Sequence, residues 1–342
     1  MKHLVDKLEQ HPKLLSREEL KLLLQADSEQ SAYLHERAFE ATSGVFGSAV
    51  YARGLIEFTN ICRNDCYYCG IRRSNAALPR YRMSAGEILA LCESGCRSGF
   101  RTFVLQGGED AYFTDDVLCD IVAQIKAKCH GCAVTLSVGE RPRGSLERLK
   151  AAGADRYLLR HETVSERLYA AIHPPEMRLE SRLQCLRNLK SLGFQTGCGF
   201  MTGLPGQSVD DIVEDLLFID EFDPEMVGIG PFLPHSETPY ASEAAGDLGL
   251  TLNAVAIVRL MKPNVLLPAT TAVESVAEGG RQRAVSAGAN VVMPNLTTAE
   301  LREKYKLYDG KAYASLEQMR EQMRAIGREI VMTKGDYKEI LP

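Results

Sequence analysis

The chain has 342 residues, 45% of them hydrophobic and 25% charged, with a formal net charge of −5, ten cysteines and no tryptophan. No basic block marks a nucleic-acid partner, and no apolar run approaches the length of a membrane span. The charged N-terminus MKHLVDKLEQ lacks a signal-peptide core, so a cytoplasmic protein is expected, with reduced core thiols and metal ligands rather than a disulfide framework.

Residues 1 to about 48 read as two or three helices. From there β-rich runs alternate with helical ones. Strands are predicted at 53–58, 102–108, 133–139, 156–162, 194–201, 226–232, 265–271 and 289–294. Thr114 and Ser208 stand before acidic residues where helices should open. Gly153, Gly193 and Gly288 follow helices and precede strands, which is where a C-terminal cap belongs. Strict alternation implies a parallel sheet with crossovers. Eight repeats imply an α/β fold of the complete (β/α)8 TIM type. The alternative, an open doubly wound sheet, is weakened because no G-x-G-x-x-G follows the first strand. Residues 296–342 read as a polar tail with one helix near SLEQMREQMRAIG. The expected organisation is one domain: a helical extension at 1–48, the barrel at 49–295 and the tail over or beside the barrel.

CRNDCYYCG, at 62–70, follows the first predicted strand, where active-site loops of such a barrel emerge. Cys62, Cys66 and Cys69 are spaced C-x3-C-x2-C. Structural zinc asks for a fourth ligand, and none sits at an obvious spacing. A [4Fe–4S] cube takes thiolates naturally, and three cysteines leave one iron open. An open iron can bind a small chelating molecule through an amine and a carboxylate. Cys92 and Cys96, four apart on a predicted helix, and Cys129-x2-Cys132 each resemble half a metal site with no second half. These four are read as structural thiols, together with Cys119, Cys185 and Cys198.

Further polar residues end predicted strands. Gly107 and Gly108 in LQGGED permit close backbone approach, which a tight strand-to-helix turn would also need. In YLLRHET, alternation sets Arg160 and Glu162 on one face, with Leu159 and His161 on the other. Buried charges need partners, so Glu162 is a candidate for ribose hydroxyls or an amine, and Arg160 for a carboxylate. Arg182 opens the next helix within reach of the same region. Thr270 and Thr271 stand at the mouth of the seventh strand, Met201 and Met293 end strands, and Tyr305 and Tyr308 follow the last. These six are the candidates for a substrate cavity. His161, His173 and His235 have no metal-pair spacing and read as packing or turn residues. No residue is assigned a catalytic role of its own.

C-x3-C-x-aromatic-C, with Tyr68 as the aromatic, resembles the signature of radical S-adenosylmethionine (SAM) enzymes. The ordered set IEFTNICRNDCYYCGIRRSN, RYRMS, LQGGED, RYLLRHET, GLPGQ, VGIGPFLPH, PATTA and VVMPN is similar to the HydE family of [FeFe]-hydrogenase maturases, from about residue 53 to 310. The resemblance implies one [4Fe–4S] cluster on Cys62, Cys66 and Cys69. It implies SAM chelating the open iron, and its reductive cleavage to a 5′-deoxyadenosyl radical. Gly107, Gly108 and Glu109 match the family's glycine-rich SAM motif. The implied role is assembly of the diiron subcluster of the hydrogenase H-cluster from a cysteine-bound iron carbonyl–cyanide unit, by radical attack on its sulfur. Other hydrogenase maturases, a small-molecule or organometallic substrate, and flavodoxin or ferredoxin as reductant are the implied partners. Some family members carry a second cluster near the C-terminus; here Cys198 is the last cysteine, so one cluster is expected. The alternatives are a methylornithine synthase-like radical mutase and a non-catalytic iron–sulfur scaffold or electron carrier.

Overall fold

A computed structural model describes residues 1–337, apart from the side chain of Leu14; the last five residues of the predicted tail lie outside the described residues. Three helices come first: α1 (Lys2–Gln10), α2 (Arg17–Leu24) and α3 (Ser28–Phe46). The strands β1 (Ala49–Ala52) and β2 (Gly54–Thr59) form one extended run interrupted at Arg53. Then come α4 (Ala85–Arg97), β3 (Thr102–Gly107), α5 (Asp115–Lys128), β4 (Ala133–Ser137), α6 (Arg143–Ala151) and β5 (Arg156–Leu158). The alternation continues through α7 (Glu166–Ile172), α8 (Leu179–Ser191), β6 (Gln195–Cys198), β7 (Met201–Thr202), α9 (Val209–Phe222), β8 (Met226–Val227) and β9 (Gly230–Pro231). The C-terminal part holds α10 (Leu248–Met261), α11 (Thr271–Val276), α12 (Gly280–Ser286), β10 (Val291–Val292), α13 (Ala299–Arg302), α14 (Leu316–Arg324) and β11 (Glu329–Val331).

The helices begin where local chemistry dictates. Ser84, Thr114 and Ser208 accept backbone N–H bonds from the first turns of α4, α5 and α9. Each such cap is worth about 1 kcal/mol over alanine. Gly153, Gly193 and Gly288 take φ of +106°, +74° and +106° after α6, α8 and α12, as their sequence positions require.

The fold is TIM-barrel-like. A parallel six-stranded sheet runs β2-β3-β4-β5-β6-β8, and β1 lies between β10 and β11 in a second parallel sheet. Every residue of β2 is buried, as expected of a strand covered on both faces. Further backbone bonds join Val227 N–H to Leu266 O (3.1 Å), Ala269 N–H to Val291 O (2.9 Å) and Leu55 N–H to Pro294 O (2.9 Å). The run 265–271, read above as the seventh strand, makes only single bridges at Leu266 and Pro268, and Thr271 already belongs to α11. Pro268 has no N–H to give a ladder. The strand expected at 156–162 is assigned only to Leu158, because Glu162 turns to a φ of +67°.

Helix α10 is buried on all sides because α1–α3 cover its outer face. Asn253 on α10 donates to Leu24 O and Ala26 O at 3.0 Å each and meets His35 at 2.9 Å. The expected tail helix is α14, but β11 beside β1 was not foreseen. Beyond it, the backbone oxygen of Lys334 accepts from Arg156 (2.7 Å) and Thr102 (2.9 Å), so the tail seals the N-terminal end of the strands.

Candidate functional site

All the parallel strands deliver their following loops to one end, and the three-cysteine loop leaves β2 there. The loop is pinned by polar side chains. Asn60 donates to Pro79 O (2.9 Å) and Lys304 O (2.7 Å), and its side-chain oxygen accepts from Tyr81 N–H (2.8 Å). Asp65 takes a two-pronged bond from Arg72 (2.8 and 2.7 Å) and two more from Ser74. The Arg80 guanidinium gathers four backbone oxygens, of Asn60, Ile71, Arg72 and Asn75, at 2.5–2.9 Å. Gly70 N–H donates to Leu307 O (2.8 Å), and a Cβ on Gly70 would stand 2.2 Å from His235 and from Lys306 O.

The second strand's glycine motif closes against this loop. A Cβ on Gly108 would sit 2.3 Å from Ile61 O and 2.8 Å from Cys62 Cβ. Gly107 is similarly crowded by Thr59 and Phe58. The Glu109 N–H points at Cys62 Sγ (3.4 Å), and its carboxylate meets Arg63 (2.9 Å) and Glu140 N–H (3.0 Å). The close backbone approach expected of these glycines is therefore made to the cysteine loop.

Burial pushes the Cys62, Cys66 and Cys69 thiols up, Cys66 to about 12, and thiolates at the neighbouring cysteines push Cys66 and Cys69 further. Such a trio ionises readily only around a cation. Among the described residues no three Cys, His, Asp or Glu side chains converge on one metal-ion position. A cube asks something different of its thiolates: one sulfur on each of three irons. The Met177 thioether lies 3.7 Å from Cys66 Sγ.

Tyr68 packs against an apolar cluster with Met201, Leu204 and Phe232. Its hydroxyl meets His173 Nε2 at 3.2 Å, and His173 Nδ1 faces Tyr169 O at 3.0 Å. Burial pulls His173 down to about 3, so the ring is neutral; with Nδ1–H donating to the carbonyl, Nε2 accepts from Tyr68.

Arg160 and Glu162 meet at 3.0 Å, and Arg182 bridges Glu140 (2.6 Å) and the backbone oxygen of Arg160 (2.7 Å). Burial opposes the Arg182 charge, but Tyr169 and Glu140 outweigh it and push its pKa up. Glu162 Oε2 has only that ion pair with Arg160, and Arg160 Nε is buried without a hydrogen bond. His161 lies on the opposite face, as alternation requires, with Nε2 3.4 Å from Asp215 on α9 and its ring against Phe218. Gly199 N–H donates to His161 Nδ1 (3.3 Å), which leaves the proton on Nε2, facing Asp215. Adjoining clefts of about 150, 480 and 380 Å³ share Arg63 and Glu140 beside these groups.

The remaining candidates do not form one wall. Thr271 and Met293 share a cavity of about 20 Å³, room for about one water, with Lys311, whose ammonium pairs with buried Glu57. Thr270 precedes α11 without capping it, its hydroxyl donating instead to Ile229 O at 3.4 Å. Tyr305 is buried, its hydroxyl 3.4 Å from Gln106. Burial also pushes the Tyr308 phenol up. Sequence reasoning missed Asn60, Arg80 and the His161–Asp215 pair. A polar residue whose partner lies far along the chain leaves no local spacing signal.

Residues 56–219 match the model of the radical SAM superfamily. The chain is 50% identical to [FeFe] hydrogenase maturase subunit HydE of Thermotoga maritima, over 81% of this chain and 79% of that protein. It is 28% identical to 3-methylornithine synthase of Methanosarcina acetivorans, over 86% of this chain and 83% of that protein. The crystal structure of methylornithine synthase (PylB) superposes with a TM-score of 0.85 at 24% identity, covering 96% of this chain and 97% of that one, a likeness of fold.

Proposed function

The chain belongs to the HydE family of the radical SAM superfamily, and from that membership we propose that it cleaves SAM reductively in maturation of the [FeFe]-hydrogenase H-cluster. The observation that carries this is 50% identity across four fifths of the chain, in a sequence that keeps the C-x3-C-x2-C loop after its first strand. The donor set fits the cofactors: three half-buried thiols whose nearby cations are Arg80 and Arg182, beside a buried Arg160 nitrogen that lacks a hydrogen bond. Cys62, Cys66 and Cys69 would hold one [4Fe–4S] cluster. When bound, it supplies the electron that breaks the SAM sulfonium bond and yields the 5′-deoxyadenosyl radical.

The chain's own residues bind and orient. Arg160 and Arg182 offer cations to a carboxylate, and Glu162 accepts amine or hydroxyl hydrogens. Gly107 and Gly108 let the backbone of Glu109 close over the cysteine loop. Tyr68, fixed by His173, and Met201 keep water from the apolar side. Thr270, Thr271, Met293, Tyr305 and Tyr308 are our candidates for the substrate wall. We read the whole chain as one domain whose eight strand positions close into a ring. The backbone bonds 227–266, 269–291 and 55–294 support that closure. The proposed setting is cytoplasmic, with other maturases supplying and receiving material and with flavodoxin or ferredoxin as reductant. Among the described residues no helix is long and apolar enough to cross a membrane.

The test adds the reconstituted chain to an unmatured [FeFe]-hydrogenase with its other maturases. Hydrogen evolution that depends on the chain supports the proposal. No gain, together with methylornithine formed from lysine, would replace it with the mutase reading.

A further inference from the structure

The two cysteine pairs that look like separate half-sites in the sequence meet in the fold. Cys92 and Cys96 lie one turn apart on α4, facing α5. Cys129 caps the C-terminus of α5, and Cys132 N–H donates to Cys129 O (3.1 Å) through a turn at Gly131 with φ +76°. The Cys96 and Cys132 thiols converge on Phe100 and Arg101: Arg101 reaches both Cys96 Sγ and Phe100 O, the oxygen that the Cys132 thiol faces, and the turn holds Cys129 beside Cys132. Cys92, Cys129 and Cys132 are buried, whereas Cys96 is partly open to solvent.

The surroundings favour sulfur chemistry at Cys96. An Arg101 guanidinium nitrogen lies 3.9 Å from Cys96 Sγ and is anchored by Cys96 O (3.2 Å) and Phe100 O (2.9 Å). The Cys132 thiol faces Phe100 O at 3.6 Å. Four thiols gathered on α4 and at the end of α5, with one of them partly open to solvent, suit the pairing of sulfur with sulfur.

We propose that Cys96, with Cys129 or Cys132 as its resolving thiol, is a reversible dithiol site that reacts with low-molecular-weight disulfides. The Cys96 thiolate attacks the small disulfide RSSR, forming Cys96–S–S–R and releasing RS⁻. The neighbouring thiol, losing its proton to that anion, attacks the Cys96 sulfur and expels the second RS⁻, which is protonated from solvent. The protein gains one internal disulfide by two-electron oxidation, and RSSR is reduced to two RSH. The bond would staple α4 to the start of β4. This lies at the N-terminal end of the strands, opposite the Cys62–Cys69 loop, and the inference is independent of the function proposed above.

The experiment exposes the cluster-loaded protein anaerobically to oxidised glutathione, blocks free thiols by alkylation and maps disulfide-linked peptides. The expected product joins Cys96 to Cys129 or Cys132 and disappears with dithiothreitol. A Cys129→Ser, Cys132→Ser double variant should stop at a glutathione adduct on Cys96. The proposal is overturned if the unaltered chain stops at that adduct, or if Cys96 stays free while Cys119 is modified. Tightly bound zinc that a Cys96→Ser variant loses would equally overturn it, making the four thiols a metal site.

Discussion

Arg80 does at one residue what several loop residues would otherwise have to share. Its guanidinium ties together four carbonyls from both sides of the cysteine loop. Arg80→Ala should cost about 2 kcal/mol through carbonyls left unpaired. It should also lower the iron retained after reconstitution. Arg80→Lys should not restore that iron, because a point charge lacks the planar fork. Asp110 sets a pH limit beside the same loop. Burial pushes its carboxyl up, but Arg82, the Tyr112 amide and the Thr59 hydroxyl outweigh burial and hold its pKa below the usual value. A carboxyl depressed in the folded state contributes stability above its unfolded pKa, about 4, and loses it as pH falls through the folded value. Denaturation midpoints should therefore fall below about pH 4, and Asp110→Asn should flatten that acid limb. Arg80 left no trace in the sequence beyond one more arginine, whereas the three cysteines were legible because their spacing is local. Arg160 and Glu162 were legible from two-residue alternation, although the left-handed turn at Glu162 was not.

Elements followed their local signals where one residue decides. The Thr114 and Ser208 caps and the three closing glycines stand where the sequence puts them. The seventh strand failed as an element because Pro268 cannot continue a ladder, and Thr270 instead opens a helix. The short β11 carries no pattern of its own and exists through pairing with β1. Glycines separate the two levels cleanly. Gly108→Ala places a Cβ 2.3 Å from the backbone oxygen of Ile61, which no side-chain rotation relieves. It should destabilise by about 1–3 kcal/mol and reduce cluster loading. Gly144, near the start of α6, has nothing within 4 Å of the same atom. Gly144→Ala should stabilise by about 0.5 kcal/mol with iron content unchanged. Paired denaturation curves and iron assays check both.

For the whole molecule, parallel strands send the cysteine loop, the glycine motif and the Arg160–Glu162 pair to one end. Periodicity carried that much of the architecture. It did not carry the meeting of Cys92 and Cys96 with Cys129 and Cys132, because only tertiary packing brings α4 to the end of α5. The fourth ligand position that three cysteines leave open is a place for SAM under the proposed function. The direct measurement reconstitutes the chain anaerobically to about four irons, reduces it with dithionite, adds SAM and quantifies 5′-deoxyadenosine. 5′-Deoxyadenosine is expected from the unaltered chain, and neither cluster nor product from Cys66→Ala. A chain that holds its full iron, is reduced, and leaves SAM intact would contradict that function.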